Sequence, residues 1–345
     1  MRIVPVILCG GRGERLWPVS RMDRPKPFHH FGAQASLFQA TLERFGDPQR
    51  FEPPLILCAR EHEGVVREQV GDRTISGLIM EGGPGGTALA CAVAALARPH
   101  DALLITPADH LIEAPEVLMR AIEAAAPLLD EARICLFACP PDHASSAYGH
   151  VRAGAVAGPG VARVEAFVEK PAAARALEMI AEGGWAWNMG LFLGQAGAFT
   201  RALARHAPDI LDQAARLWSR RERAGDDAVL IPPAQVSAPV SIDTAVMERS
   251  DDLLVARCDP LWRDVGCWNG LWRHAARDGT GNWVTGRATA RESTGCVVLG
   301  DGPPVTAIGL TDMVVISTDQ GVLVMPRARA QELRAAGLWS EQEHW

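Results

Sequence analysis

The chain has 345 residues, enough for two or three structural units and a large core. Its 48% hydrophobic and 22% charged residues are an ordinary soluble composition, and a net charge of -7 argues against a general nucleic-acid binder, which would be basic. No apolar stretch approaches the ~20 residues of a membrane span, and the N-terminus lacks the apolar core and small-residue cleavage site of a secretory signal.

IVPVILC (3–9) reads as a buried strand, and it empties into CGGRGERLWPVSRMDRPKP (9–27). Further apolar strands are expected at PLILCA (54–59), SGLIM (76–80), ALLIT (102–106) and ARICLFAC (132–139). Helical patterns alternate with them: SLFQATLERF (36–45), EHEGVVREQV (61–70), TALACAVAALA (87–97) and PEVLMRAIEAAA (115–126). This alternation predicts a mainly parallel α/β sheet flanked by helices, with ligands beyond the carboxyl ends of the strands.

YGHVRAG and VARVEAFVEK then read as paired strands, AAARALEMIAEG as a helix and WAWNMGLFLG as a strand. Helices are expected near 197–206 and 208–223, and again in VSIDTAVMERS, with Ser241 or Asp243 as cap. LLVARC (253–258) returns to strand, and LWRDVGCWNGLWRHA runs from a loop into a helix. The expected division is a catalytic domain over 1–278 and a small all-β unit over 279–345, with runs CVVLGDG, PVTAIGL, TDMVVIST and QGVLVMP. RARAQELRAAGLW closes it as a helix.

The cysteines (Cys9, Cys58, Cys91, Cys135, Cys139, Cys258, Cys267 and Cys296) form no C-x-x-C pair, and most sit in apolar runs. They read as buried, reduced thiols of a cytoplasmic protein rather than as a zinc or disulfide framework.

In the first loop, Gly10, Gly11 and Gly13 let backbone N–H groups approach an anion. Arg12, Arg15, Arg21, Arg24 and Lys26 add charge, and prolines on both sides restrict Lys26. Together these suit a polyphosphate; the plainer reading is a glycine turn with solvated arginines. The loop is not a P-loop, since the chain has no Gly-Lys pair, nor a dinucleotide fingerprint, since Leu16 stands where the third glycine belongs. Asp109 in TPADH and Asp264 in WRDVG are carboxylates from separate loops, of the kind that share a magnesium ion. On spacing alone they read rather as a helix cap and a turn residue. Glu169-Lys170 at a strand end reads as a solvated pair, and Asn188 as a satisfied buried amide.

GGRGERLWPVSRMDRPKP resembles the signature loop of sugar-nucleotide pyrophosphorylases, and its Leu-Trp-Pro and Ser-Arg elements resemble the mannose-1-phosphate guanylyltransferases among them. TPADH, YGH (148–150), FVEKP (167–171), WNMG (187–190), SIDTAVMER (241–249) and WRDVGCW (262–268) follow in the family's order, so the resemblance covers nearly the whole chain. It implies a nucleotidyltransferase that joins GTP and mannose 1-phosphate into GDP-mannose and releases pyrophosphate. By that resemblance Gly10, Gly11, Gly13, Arg15, Lys26, Gly86 and Thr87 bind the nucleotide, with Arg15 and Lys26 catalytic. Asp109 and Asp264 hold Mg²⁺, and Gly149, Glu169, Lys170 and Asn188 take the sugar phosphate. His150 is left out of catalysis.

Two departures stand out. Gly85-Gly86 replace the family's Arg-Asn pair in the base loop, and Thr244 replaces its usual tyrosine. The first keeps open a pyrophosphorylase for another base or sugar. A silent sugar-nucleotide-binding subunit is the other alternative, against which Lys26, Asp109 and Asp264 are all present. The resemblance also implies a β-helix-like C-terminal unit that helps form a homodimer. No membrane or nucleic-acid partner is expected. Two-activity members carry an additional isomerase domain, for which this chain has no room, so a single activity is expected.

Overall fold

The computed structural model describes residues 2–11, 13–234 and 238–336, with side chains excluded at 334–336. The chain divides into two units, Met1–Gly10 with Thr41–Ala108 and Ile112–Trp262, and Gly11–Ala40 with Asp109–Leu111 and Arg263–Trp345.

In the first unit the apolar runs become β1 (Ile3–Cys9), β2 (Leu55–Ala59), β3 (Gly77–Glu81) and β4 (Ala102–Pro107). The short β5 (His110–Ile112) follows, then β6 (Ile134–Cys139), β7 (His150–Gly158), β8 (Val161–Val168), β9 (Trp185–Gln195), β10 (Glu222–Arg223), β11 (Ala228–Ile231) and β12 (Leu253–Arg257). Among the described residues eleven of these form one sheet, in the order β10-β11-β3-β2-β1-β4-β9-β6-β12-β8-β7. From β11 to β4 the neighbours are parallel, and β9 runs antiparallel between β4 and β6. β1 is buried along its whole length, as a central strand covered on both faces must be. Helix Gly86–Ala97 is apolar all round and packs with Ala196–His206 and Pro208–Ser219 on one face. Helix Pro115–Ala125 covers the other. The mixed α/β architecture keeps the parallel core that the alternating pattern predicts, from β11 to β4 and between β6 and β12, and β1, β3 and β4 end along the same edge.

In the second unit β13 (Trp262–Asp264) contributes Arg263 and Asp264, and it pairs with β5, of which this unit holds His110 and Leu111. Then come β14 (Trp283–Arg291), β15 (Val297–Ile308), β16 (Met313–Thr318) and β17 (Gly321–Pro326). β14, β15 and β16 are parallel, yet only Glu292–Cys296 and Gly309–Asp312 connect them. Parallel neighbours in an ordinary sheet need a crossover of roughly a dozen residues or more. Turns this short fit a coil whose strands stack as successive rungs, which is a β-helix-like unit. Its core gathers Val297, Leu299, Val314 and Ile316 with Leu16, Val19 and Trp268.

Several local expectations change. The second of the paired helices ends at Ser219, and Glu222–Arg223 turns back to pair with β11. CVVLGDG and PVTAIGL are one bent strand, β15. Ser241, not Asp243, is the cap: its hydroxyl accepts the Thr244 N–H at 3.1 Å. The C-terminal run is a 3-10 helix over Arg327–Ala336, and the rest of the expected helix lies outside the described residues. All eight cysteines are free and all but Cys258 are buried. Among the described residues no helix is long and apolar enough to cross a membrane.

Candidate active site

The first loop leaves β1 through Gly10 and Gly11, where an added Cβ would meet nothing within 4 Å. Gly13 is different. It adopts φ 67°, and a Cβ there would lie 2.5 Å from Ser20 Oγ and 2.6 Å from Lys26 Cβ. This glycine lets the loop fold down onto Lys26. Pro25 sits at the N-cap of the 3-10 turn Lys26–Phe28 and fixes where the lysine starts. Arg12 lies outside the described residues.

Lys26 is buried, and its Nζ stands 2.7 Å from Asp109 Oδ2 and 3.1 Å from Asp264 Oδ1. Three residues far apart in sequence thus meet at one point within the second unit. Asp109 is no helix cap, because Ala114 caps the following helix. Burial by itself lowers the Lys26 pKa, but the charges of Asp109 and Asp264 outweigh it and leave it above the ordinary lysine value. Burial pushes Asp264 up, and Lys26, then His110, more than reverse this and bring it down to about 2. Removing Lys26 would leave both carboxylates without their shared counter-charge, which is costly.

The cluster fits a hard divalent cation. Its oxygen donors are anionic, and two carboxylates outnumber one ammonium, so an incoming polyphosphate needs further positive charge. Among the described residues no group of three or more His, Cys, Asp or Glu side chains is placed to hold an ion. Two carboxylates with the remaining positions left to phosphate oxygens and water is how magnesium is commonly held.

Arg15, on the 3-10 turn Glu14–Leu16, donates from Nη1 to Gln331 Oε1 at 2.6 Å. This partner lies 316 positions away, and nothing in the sequence signals it.

The first unit carries a second constellation. Asn188 on β9 donates its backbone N–H to the Gly149 carbonyl (2.8 Å) and its Nδ2 to Asp243 Oδ1 (2.8 Å). Its Oδ1 accepts the Gly190 N–H at 3.1 Å. A Cβ on Gly149 would stand 2.6 Å from Glu169 Oε2, so the glycine lets this carboxylate lie against the strand. Glu169 accepts from Lys170 Nζ at 2.6 Å. Lys170 has φ 45° immediately before Pro171, a strained backbone that aims an exposed ammonium.

The base loop shows why Gly86 is a glycine. It has φ 81°, and a Cβ would fall 2.4 Å from the Val240 carbonyl oxygen. Thr87 Oγ1 accepts the Ile242 N–H at 2.9 Å, tying the loop to the SIDTA helix.

Two acids near the site carry no site role in the sequence pattern, where Asp243 reads only as a possible helix cap. Asp243 is pushed up to about 6, first by burial and then by the neighbouring charge of Glu169. Glu81, the last residue of β3, is pushed up to about 7 by burial. The signal for Glu81 was a lone carboxylate ending GLIME before a glycine-rich loop. Both folded pKa values lie above the unfolded ones, so the stability these groups contribute is full below about 4 and is lost as pH rises through about 6 and 7. Glu81→Gln should therefore flatten the fall in urea-unfolding stability between about pH 5 and pH 7.5; a slope equal to that of the parent would remove Glu81 as its source.

The family model for nucleotidyl transferases matches residues 4–280. The chain belongs to the nucleotidyl transferase family. A second model, the MannoseP isomerase/GMP-like beta-helix domain, matches 286–336, in keeping with the coiled β14–β16. This nucleotidyltransferase is 36% identical over 341 residues to the alginate biosynthesis protein AlgA of Pseudomonas aeruginosa, covering 96% of the chain and 71% of that relative. It is 35% identical over 345 residues to a mannose-1-phosphate guanylyltransferase of Escherichia coli, covering 97% and 73%. A crystal structure named as mannose-1-phosphate geranyltransferase from Thermus thermophilus matches with TM-score 0.82 at 31% identity, over 99% of this chain and 100% of that one. Of the 34 lysines and arginines of this nucleotidyltransferase, only Lys26 and Lys170 are lysine.

Proposed function

We propose that the enzyme joins GTP and α-D-mannose 1-phosphate, giving GDP-mannose and pyrophosphate. The observation that carries this is the convergence of Lys26 on Asp109 and Asp264, in a chain similar throughout to a mannose-1-phosphate guanylyltransferase. A phosphate oxygen of the sugar 1-phosphate attacks the α-phosphorus of GTP, the bond to the β-phosphate oxygen breaks, and pyrophosphate leaves in line. The nucleophile is already ionised near neutral pH, so no general base is required. Catalysis is positioning and charge neutralisation.

In this reading Gly10, Gly11 and Gly13 admit the triphosphate, and Arg15 and Lys26 hold it. Asp109 and Asp264 would hold Mg²⁺, which when bound neutralises phosphate charge as a Lewis acid. Gly86 and Thr87 shape the base loop. Glu169 and Asn188 take sugar hydroxyls beside Gly149, with Asp243 behind Asn188, and Lys170 takes the sugar phosphate. The functional division we propose is 1–278 and 279–345, supported by the family-model limits at 280 and 286. A cytoplasmic location is supported by the eight free thiols. A homodimer through the β unit is supported by exposed Ile308, Val322 and Val324.

The test is pyrophosphate release with GTP against ATP, UTP and dTTP, and with mannose 1-phosphate against glucose 1-phosphate. The second reading, a pyrophosphorylase for another base, is favoured by Gly85-Gly86 and wins if a nucleotide other than GTP turns over faster. A lysine-selective acylating reagent offers a direct check on Lys170, whose side chain is 59% exposed against 6% for Lys26. Lys170 should label first, and mannose 1-phosphate should protect it. Labelling of Lys170 unaffected by saturating mannose 1-phosphate would take it out of the sugar-phosphate site.

A further inference from the structure

The 3-10 helix Arg327–Ala336 is fixed at its start. Arg327 donates to the Gly295 carbonyl (2.9 Å), to Asn269 Oδ1 (2.7 Å) and to Asp312 Oδ1 (2.5 Å), and its guanidinium lies 3.4 Å from the centre of the Trp272 ring. Further along, Ala330 and Leu333 are buried in the cluster that holds Leu16, the residue after Arg15. Gln331 therefore projects from an anchored helix. Its Oε1 accepts from Arg15 at 2.6 Å, and its Nε2 donates to Cys267 Sγ at 3.3 Å. These partners orient the amide, since guanidinium only donates and the thiol sulfur accepts. A methyl on Gly266 would stand 3.8 Å from both terminal nitrogens of Arg15 and 3.6 Å from Asp264 Oδ2, so the guanidinium is held over the Asp264 loop.

We infer that Gln331 is a positioning residue, which aims Arg15 at the triphosphate without neutralising it. The inference rests on the reading of Arg15 as a phosphate-binding group. The chemistry of the side chain is the point. A carboxylate here would aim the arginine equally well but hold it as an ion pair, in competition with the incoming anion. A neutral amide orients the fork and leaves its charge free. Gln331 itself is exposed, so replacing it leaves the core intact.

The experiment is steady-state kinetics in GTP on the full chain for Gln331→Ala, Gln331→Glu, Arg15→Ala and Arg15→Ala/Gln331→Glu, at low and high salt, with thermal unfolding as the control for folding. Gln331→Ala should lower kcat/KM about fivefold, the loss of one orienting hydrogen bond. Gln331→Glu should raise KM for GTP about tenfold, and this effect should shrink as salt screens the new ion pair. In the double variant the glutamate should add nothing to Arg15→Ala. A purely structural role would leave Gln331→Glu, nearly isosteric, close to the parent at both salt concentrations. If Arg15→Ala impairs the enzyme while both single Gln331 variants match the parent, the inference is overturned and the role of Arg15 stands. If Arg15→Ala is itself silent, the reading of Arg15 falls and takes the inference with it.

Discussion

Lys26→Ala should lower turnover on the order of a thousandfold, the scale on which a single donor to developing charge matters. The lysine has 6% of its side chain exposed and is the one cation salt-bridged to both Asp109 and Asp264 among the described residues. A compact ammonium suits the space, because Gly13 already has to lack a Cβ to accommodate the lysine stem. A guanidinium is larger and planar, so Lys26→Arg should recover little. The chain is otherwise rich in arginine, and lysine stands only at 26 and 170, where a compact point charge fits the proposed roles. Lys26→Ala also leaves two half-buried carboxylates, Asp109 and Asp264, without their shared ammonium and should lower stability. The two effects separate by measuring kcat well below the unfolding midpoint, on protein whose circular dichroism matches the parent. A folded Lys26→Ala enzyme with near-normal kcat would exclude Lys26 from the reaction.

The strand and the tight turn that places Lys26 were legible because their cues are local: an apolar run, three glycines and a lysine between prolines. The parallel strands were legible for a similar reason, since short apolar runs alternating with helices have few other solutions. Asp109 and Asp264 were not separable from a cap and a turn by spacing alone, because what distinguishes them is a shared partner in space. Asp243 and Glu81 lay further out of reach. Their departure from ordinary carboxylates comes from burial, and SID or ME looks the same whether exposed or covered. Gly85-Gly86 stood out only as a departure from the family's Arg-Asn pair. The geometry adds a reason for the second glycine, since the Val240 backbone leaves no room for a Cβ. The expectation of two separate runs within β15 takes DGPP as a break. In a stacked coil such a turn is a corner: the ladder with β14 shifts register there and pairs on both sides of it, at Gly286 with Gly300 and at Ala288 with Val305. Arg15 and Gln331 could not be joined from sequence at all, since neither residue type nor spacing marks the pair.

Asp264→Asn is the sharpest test of the metal reading. Asparagine keeps the shape and one oxygen, so the cluster stays packed, and Lys26 keeps Asp109 as a partner. What changes is charge. With its pKa held at about 2, Asp264 is ionised at every working pH, so the substitution removes a full negative charge whatever buffer is used. The depressed pKa also means that Asp264 contributes stability above about pH 4, lost as pH falls through about 2. Asp264→Asn should therefore remove an acid-sensitive increment of stability that the parent shows in that range. Its larger effect should be on metal dependence. Losing one of two anionic ligands should raise the Mg²⁺ concentration for half-maximal activity roughly tenfold or more, since even outer-shell changes cost about that much. Binding of Mn²⁺ followed by electron paramagnetic resonance gives a readout independent of turnover, and it should weaken in step. A magnesium titration and a manganese affinity both equal to those of the parent would remove Asp264 from the metal site, leaving its ion pair with Lys26 as its whole role.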